Sequence, residues 1–444
     1  MRAYLLIDFG STYTKVTLVD AEEPALLAQA QAPTTADRDI LRGLTAAVDA
    51  LRRRFGPLPP IEARLAASSA AGGLRLAAVG LVPDLTAEAA RMAALGAGAR
   101  VIATHAYRLT RAAVDRLRVE DPDMILLAGG TDGGNLEVVL HNARMLAAAK
   151  LDAPVVYAGN AAAREQVVRL LAAAGIPVQA AANVMPRLGR LEVDEAREVI
   201  RRLFMEHIVR AKGMDRARQH LDGVLMPTPA AVLRAARLLA EGPGESDGLG
   251  RPSAGAAGPP GLGALLVVDV GGATTDVHSI SPGGVIEPGV EGRGLAEPYE
   301  KRTVEGDLGM RISAPGILEA VGAEELARWV GRARGVLAGS AAFAADPEAG
   351  AGDAGDAADA ATGAAAGDGD LKGYIRALAG APDRVPEDRW QAAVDHALAR
   401  CAVGLAVRRH AGRLRVLEGP FGRRRVQRGK DLRPVRTVIG TGGV

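Results

Sequence analysis

Twice along 444 residues an apolar run reaches an aspartate, turns through glycine and small hydroxyl side chains, and resumes as a second apolar run. The copies are AYLLIDFGSTYTKVTLVD from residue 3 and LLVVDVGGATTDVHSI from residue 265. The spacing predicts two strand pairs, each closed by a tight turn. At such a turn glycine lets another group approach the backbone, and successive N–H groups can face a polyphosphate. In the first copy Gly10 gives that access, Ser11 and Thr12 add hydroxyl donors, Lys15 supplies a point charge, and Asp8 at the strand end can hold magnesium through water. In the second, Asp269 ends the strand and Gly271, Gly272, Thr274 and Thr275 follow. Alone, the first copy also suits an ordinary hairpin; two copies, one opening each half of the chain, point to phosphate.

Between the copies strands and helices alternate. Ile61–Ala67, Val101–Thr104, Met124–Ala128 and Val155–Ala158 read as strands, with helices starting at Thr86, Thr110, Asn135 and Ala161, the pattern of a parallel α/β sheet covered on both faces. Helical patterns follow over 193–213 and 229–241, and then GPGESDGLGRPSAGAAGPPGLG, residues 242–263, whose glycine and proline content reads as a linker. The expected organisation is a first lobe over 1–241 carrying an α/β insertion, the linker 242–263, and a second lobe over 264–444. Residues 341–370 hold fourteen alanines, six glycines and six aspartates with no basic residue, a low-complexity insertion expected to be disordered. The GxGxxG spacing at Gly350, Gly352 and Gly355 within it has no strand before it and no helix pattern after it, so it is accidental.

Composition removes several function classes. Fifty-four basic residues face 52 acidic ones, which argues against wholesale nucleic-acid coating. The single cysteine, Cys401, excludes an internal disulfide and a thiolate-held iron–sulfur cluster and suits a reducing cytoplasm. Cys401 lies in a helix-like stretch, Trp390–His410, and reads as a packed core residue. Asp8 interrupts what would be the apolar core of a signal peptide, and no run of about 18 apolar residues occurs, so a cytoplasmic chain without a membrane span is expected. There is no GxxxxGK[ST], no HExxH and no GxSxG, which sets aside P-loop, zinc-protease and serine-hydrolase readings. The arginine-rich stretch Gly422–Arg436 lacks interleaved aromatics and reads as a solvated face or one for an acidic partner, not as a nucleic-acid site.

The paired loops resemble the phosphate loops of the actin-like ATPase superfold, a duplicated ribonuclease H-like α/β fold shared by sugar kinases, the heat-shock chaperone ATPase domain and actin. The resemblance implies two lobes gripping one ATP and its Mg2+. It places Asp8 and Asp269 on the metal and the remaining loop residues on phosphate, with Asp269 also orienting water. Ala273 stands where several members carry a third glycine. VIGTGGV at Val438–Val444 resembles the adenosine motif through Gly440, Gly442 and Gly443. Members normally continue there with a helix, so the C-terminal lobe is expected to be incomplete.

DMILLAGGTDGGN (123–135), VVYAGN (155–160) and RTVEGDLGMR (302–311), with the opening LLIDFGSTYTKVTLVD, resemble the glutamate mutase accessory family, also called GlmL or MutL, unrelated to the mismatch-repair protein that shares the second name. This resemblance implies an ATP-dependent reactivating chaperone that exchanges damaged cofactor from an adenosylcobalamin-dependent mutase or aminomutase through nucleotide-driven lobe motion. A small-molecule kinase of the same superfold is the alternative, with Asp132 as its base. From the residues alone, AGGTDGGN follows an apolar strand, so Asp132 and Asn135 stand at the carboxyl end of a sheet where ligands bind, or else form a turn in which Asn135 caps the next helix. Glu305 and Asp307 likewise suit either a shared polar face or a hydrogen-bonded loop.

Overall fold

The alternation of the first motif becomes the centre of a sheet. The computed structural model describes residues 2–23, 25–35, 39–69, 74–205, 220–242, 261–285, 287–338, 368–419 and 422–442. Strands β1 (Ala3–Phe9), β2 (Tyr13–Asp20) and β3 (Leu26–Pro33) form an antiparallel meander. Ala3, Leu5, Ile7 and Phe9 face the core, as a period of two requires. The helix Ile40–Phe55, capped by Asp39 on the Leu41 amide, lays Ile40, Leu44, Ala47 and Leu51 on one stripe against the same core. The chain then returns as β4 (Ile61–Ser68), parallel to β1.

The α/β insertion is a separate five-stranded parallel sheet. Its strands are β5 (Arg75–Val79), β6 (Arg100–His105), β7 (Met124–Leu127), β8 (Val155–Tyr157) and β9 (Val178–Ala180), in the order β6-β5-β7-β8-β9. Burial on both faces explains the uninterrupted apolar run of β7: Met124 and Leu126 pack into one core, Ile125 and Leu127 into another. The helix of Arg111–Glu120 starts at its cap, Thr110, whose hydroxyl accepts from the Ala113 amide. After the insertion β10 (Gly223–Pro227) pairs parallel with β4, giving the order β10-β4-β1-β2-β3. The helix Thr228–Glu241 follows directly.

The second motif forms β11 (Leu265–Val270) and β12 (Thr275–Ile280). With β13 (Val290–Gly292), β14 (Glu300–Glu305), β15 (Arg413–Gly419), β16 (Gly422–Arg428) and β17 (Thr437–Gly442), it completes two further sheets, ordered β14-β12-β11-β17 and β13-β16-β15. In both motif-bearing sheets the spatial order is third, second, first, fourth strand of the repeat: β3-β2-β1-β4 and β14-β12-β11-β17.

By packing, the described residues belong to two compact units that are not consecutive along the chain. One takes Met1–Val267, Val277–Val304 and Arg409–Ile439; the other takes Val268–Asp276, Glu305–Arg408 and Gly440–Val444. In the first, the buried guanidinium of Arg302 donates to the carbonyls of Leu95 (3.0 Å) and Ala99 (2.7 Å), tying β14 to the insertion. In the second, Ile375 and Leu378 on the helix Asp368–Gly380 and Val394 and Leu398 on the helix Arg389–His410 are wholly buried. Cys401 is also buried on the latter helix, and burial pushes its thiol up to about 11, so it is an inert core residue.

The stretch 242–263 falls outside the described residues over 243–260, as does the helical pattern beyond Met205. The low-complexity stretch also lies outside them up to residue 367, and Asp368 to Asp370 open a helix. Among the described residues no helix is long and apolar enough to cross a membrane.

Replacing Arg302 with alanine strands two buried carbonyls and is expected to lower unfolding free energy by about 2–4 kcal/mol, measured by urea titration. Deleting residues 341–367, whose composition cannot repay the entropy of ordering, is expected to shift the melting temperature by no more than about 2 °C. Loss of cooperative unfolding would show that the segment packs.

Candidate functional site

Both motif turns close with the same backbone hydrogen bond. The Gly10 amide donates to the carbonyl of Tyr13 (3.1 Å), and the Gly271 amide to the carbonyl of Thr274 (2.8 Å). A Cβ on Gly10 would stand 2.6 Å from that carbonyl oxygen, so the turn admits only glycine. Asp8 and Asp269 occupy the same place relative to it, one residue before the strand ends.

In the first loop the β1–β2 register sets Asp8 directly opposite Lys15. Thr228, the first residue of its helix, donates its hydroxyl to Asp8 Oδ1 at 2.6 Å. Burial pushes the Asp8 carboxyl above the ordinary carboxylate range, with the Thr228 hydrogen bond and the Lys15 charge pulling the other way. Ser11 is exposed, while the Thr12 hydroxyl oxygen is buried and has no hydrogen-bond partner among the described residues. The turn is held from behind by the Thr14 and Thr34 hydroxyls, 3.0 Å apart, and by the Thr34 amide on the Thr12 carbonyl.

The second loop rests on the segment Leu308–Arg311. The Met310 and Arg311 amides donate to the carbonyls of Gly271 (3.0 Å) and Gly272 (2.9 Å), and the buried Thr275 hydroxyl donates to the Leu308 carbonyl. Gly309 packs so closely that a Cβ would lie 2.4 Å from the Ala273 carbonyl carbon. Arg311 then grips Asp395 with both terminal nitrogens (3.0 and 2.6 Å) and reaches the Arg384 carbonyl through Nε. VEGDLGMR is therefore a brace for the loop: Glu305 ends β14 and Asp307 lies in the hydrogen-bonded turn after it. β17 brings Gly440 and Gly442 to the same unit, and a Cβ on Gly442 would meet the Val270 carbonyl at 2.3 Å and Asp269 Oδ1 at 2.6 Å. Gly443 lies outside the described residues.

At the carboxyl end of β7, Asp132 Oδ1 accepts from the Ala161 amide (2.8 Å) and from Asn183 Nδ2 (2.9 Å). Asn135 Oδ1 accepts from the Val138 amide (3.1 Å), as a cap would, and Asn160 donates to the Gly134 carbonyl. Thus the glycine-rich segment is closed on itself by hydrogen bonds.

Each loop thus gathers its own residues: Asp8, Gly10, Ser11, Thr12 and Lys15 with Thr228; Asp269, Gly271, Gly272, Thr274 and Thr275 with Gly440 and Gly442. The orphaned Thr12 hydroxyl and the glycine-led turns fit a polyphosphate. Among the described residues no group of three or more His, Cys, Asp or Glu gathers as a dedicated metal cage. Magnesium asks for less: one or two carboxylates, phosphate oxygens and water. Sequence reasoning missed Thr228, Gly309 and Asp395, and read Arg311 only as part of a motif. Gly309 and Arg311 lie inside RTVEGDLGMR and were open to notice; Asp395 sits mid-helix with no local signal.

Two sheets built in the same strand order, each ending its first strand in an aspartate before a glycine turn, define the actin-like ATPase class of α/β proteins. Within that class the chain belongs to the MutL protein family, which it matches over residues 4–444. It is 44% identical over 445 residues to Protein MutL of Clostridium tetanomorphum, covering 100% of this chain and 86% of that protein. Among solved structures, a Ppx/GppA family member from Aquifex aeolicus aligns over 97% of this chain and 95% of its own at 9% identity with a TM-score of 0.24. The xylulose kinase of Bifidobacterium adolescentis aligns over 74% and 70% at 15% identity, TM-score 0.21. The activator of the 2-hydroxyisocaproyl-CoA dehydratase from Clostridium difficile, solved with ADPNP, aligns over 40% and 88% at 11% identity, TM-score 0.13. Scores this low leave the fold to rest on strand order.

Because burial raises the Asp8 carboxyl, the folded chain holds that proton more tightly than the unfolded chain does. The stability this contributes is complete below the ordinary carboxylate range and is lost as pH rises through the raised value. Asp8→Asn keeps an acceptor for Thr228 without the charge, so it is expected to stabilise the unliganded protein by roughly 1 kcal/mol at neutral pH. The gain should shrink towards about pH 4. Urea titrations of both proteins across that range check it.

Proposed function

We propose that this protein is an ATP-dependent reactivating chaperone for an adenosylcobalamin-dependent mutase or aminomutase, exchanging damaged cofactor through nucleotide-driven lobe motion. One observation carries the nucleotide half: the same Gly-to-carbonyl turn stands beside a strand-end aspartate twice, at Gly10 and at Gly271. Family membership carries the partner half, through the resemblance to glutamate mutase accessory proteins.

ATP, when bound, would supply a polyphosphate whose terminal phosphoryl is transferred to water, which changes the charge in the site. The chain's residues supply the rest. Lys15 would offset phosphate charge, and the Thr12 hydroxyl would gain its missing partner. Asp8, disfavoured as an anion by burial, becomes the preferred ligand of a divalent cation that repays its ionisation. Asp269 orients the attacking water. Turnover is expected to be slow, because each nucleotide state must persist while it acts on a partner. In the kinase reading Asp132 would serve as base, with its Oδ1 fixed in place by the Ala161 amide and Asn183.

Calorimetry with Mg-ATP is expected to show binding that Asp8→Ala and Asp269→Ala each weaken by at least about tenfold. Unchanged affinity in both variants would remove the nucleotide assignment. An inactivated cobalamin mutase given fresh adenosylcobalamin and this protein should recover activity with Mg-ATP and fail to do so with the Asp269→Ala variant. Equal recovery in both would take hydrolysis out of the mechanism.

A further inference from the structure

The arginine-rich stretch that the nucleotide site does not use opens with β16, which pairs antiparallel with β15 just before it and carries β13 on its far side. β15 is the end strand of this sheet. Its outer edge has no strand beside it among the described residues. Edges of this kind present a row of backbone donors and acceptors to any extended chain.

The two faces of the ribbon differ. On one, Leu414 and Val416 stand 47% and 57% exposed, unusual for apolar strand residues. On the other, Arg413 lies directly opposite Arg428, a like-charge cross-strand pair that costs stability. Arg413, Arg415 and Arg428 join Arg293 and Arg409 around a cavity of about 380 Å³ whose lining contains no carboxylate. The neighbouring arginines are already matched: Arg423 with Glu418, Arg424 with Glu291, Arg425 with Glu287. One wall of the cavity shows the chemistry it accepts, because Arg428 holds the exposed carboxylate of Asp84. Arg293, Arg413 and Arg415 have no carboxylate partner among the described residues.

We propose that the β15 edge and its arginine cavity dock an extended acidic segment of a partner protein, which adds a strand to the sheet. Its backbone pairs with the edge, alternate carboxylates enter the cavity beside Arg293, Arg413 and Arg415, and intervening apolar side chains cover Leu414 and Val416. An alternating acidic and apolar strand satisfies both faces at once. A nucleic acid would leave the apolar face uncovered and would find no aromatic side chain to stack on.

The test uses the full chain and a fluorescent twelve-residue peptide alternating glutamate and valine, followed by anisotropy at low salt. Binding is expected, weakened by at least about tenfold when Arg413 and Arg415 are both changed to glutamate and largely retained when both are changed to lysine. The same peptide N-methylated at every residue, which has no N–H left on either edge to donate to a strand, should bind at least about tenfold more weakly to the unaltered protein. That comparison needs no protein variant and holds even where charge reversal disturbs folding. No binding of the peptide, equal binding of its N-methylated form, or tighter binding of a single-stranded oligonucleotide would each overturn the proposal. Mg-ATP affinity serves as the independent control for the nucleotide site.

Discussion

A single hydrogen bond, from a glycine amide to the carbonyl three residues on, sets the form of both loops. It forces the chain to reverse within three residues of a strand-end aspartate, which keeps the carboxylate on the sheet and leaves the turn's backbone facing outward. The contact is too close for a Cβ at Gly10, so nothing but glycine will serve. Other features exist to hold that reversal in place. Thr228 fixes the Asp8 carboxylate from a helix start more than two hundred residues away in sequence, and Gly309, Arg311 and Asp395 brace the second turn. The longer the sequence separation of such a contact, the more it depends on the whole unit being folded.

The buried polar groups of the scaffold follow a different rule from those of the loops. Lys430 is wholly enclosed, yet its ammonium donates to the carbonyls of Ser279, Pro298 and Tyr299 at 3.2, 2.9 and 2.6 Å. His410 bridges Thr303 and Ser279 with both ring nitrogens at 2.8 Å, and Arg302 satisfies two carbonyls. Each joins segments distant in sequence and repays its desolvation with hydrogen bonds. Burial still pushes the Lys430 ammonium down to about 7, because carbonyl dipoles offset only part of the lost hydration.

What the sequence made legible was local. The apolar runs on either side of Gly10 gave β1 and β2 almost to the residue, the repeated pattern marked β11 and β12, and Thr110 marked its helix start because an N-cap is a contact between neighbours. Asn135 marked a start that the structure places two residues later, at Glu137, since its side chain caps from outside the helix proper. The arginine stretch hid strand β16, because charge on both faces erases the period-two signal that burial imposes, whereas β15 kept an alternation, RLRV, that went unread. Thr228 and Asp395 were illegible for another reason. Their roles depend on which distant segment packs against them, and no spacing within the chain encodes that.

Unsatisfied polarity is therefore informative only where backbone geometry agrees with it. The Thr12 hydroxyl is buried without a partner, but so are both ring nitrogens of His278 in the middle of β12. The two differ in cost and in setting. Burial keeps the His278 imidazole well below its ordinary pKa and hence neutral, so it packs as a flat, weakly polar ring in the middle of a strand. Thr12 belongs instead to a turn that excludes side chains at Gly10, one strand end away from a carboxylate that burial disfavours as an anion. There, an orphaned donor and a costly charge coincide within five residues, beside a turn that only glycine can make. The proposed polyphosphate with its cation would relieve both at once.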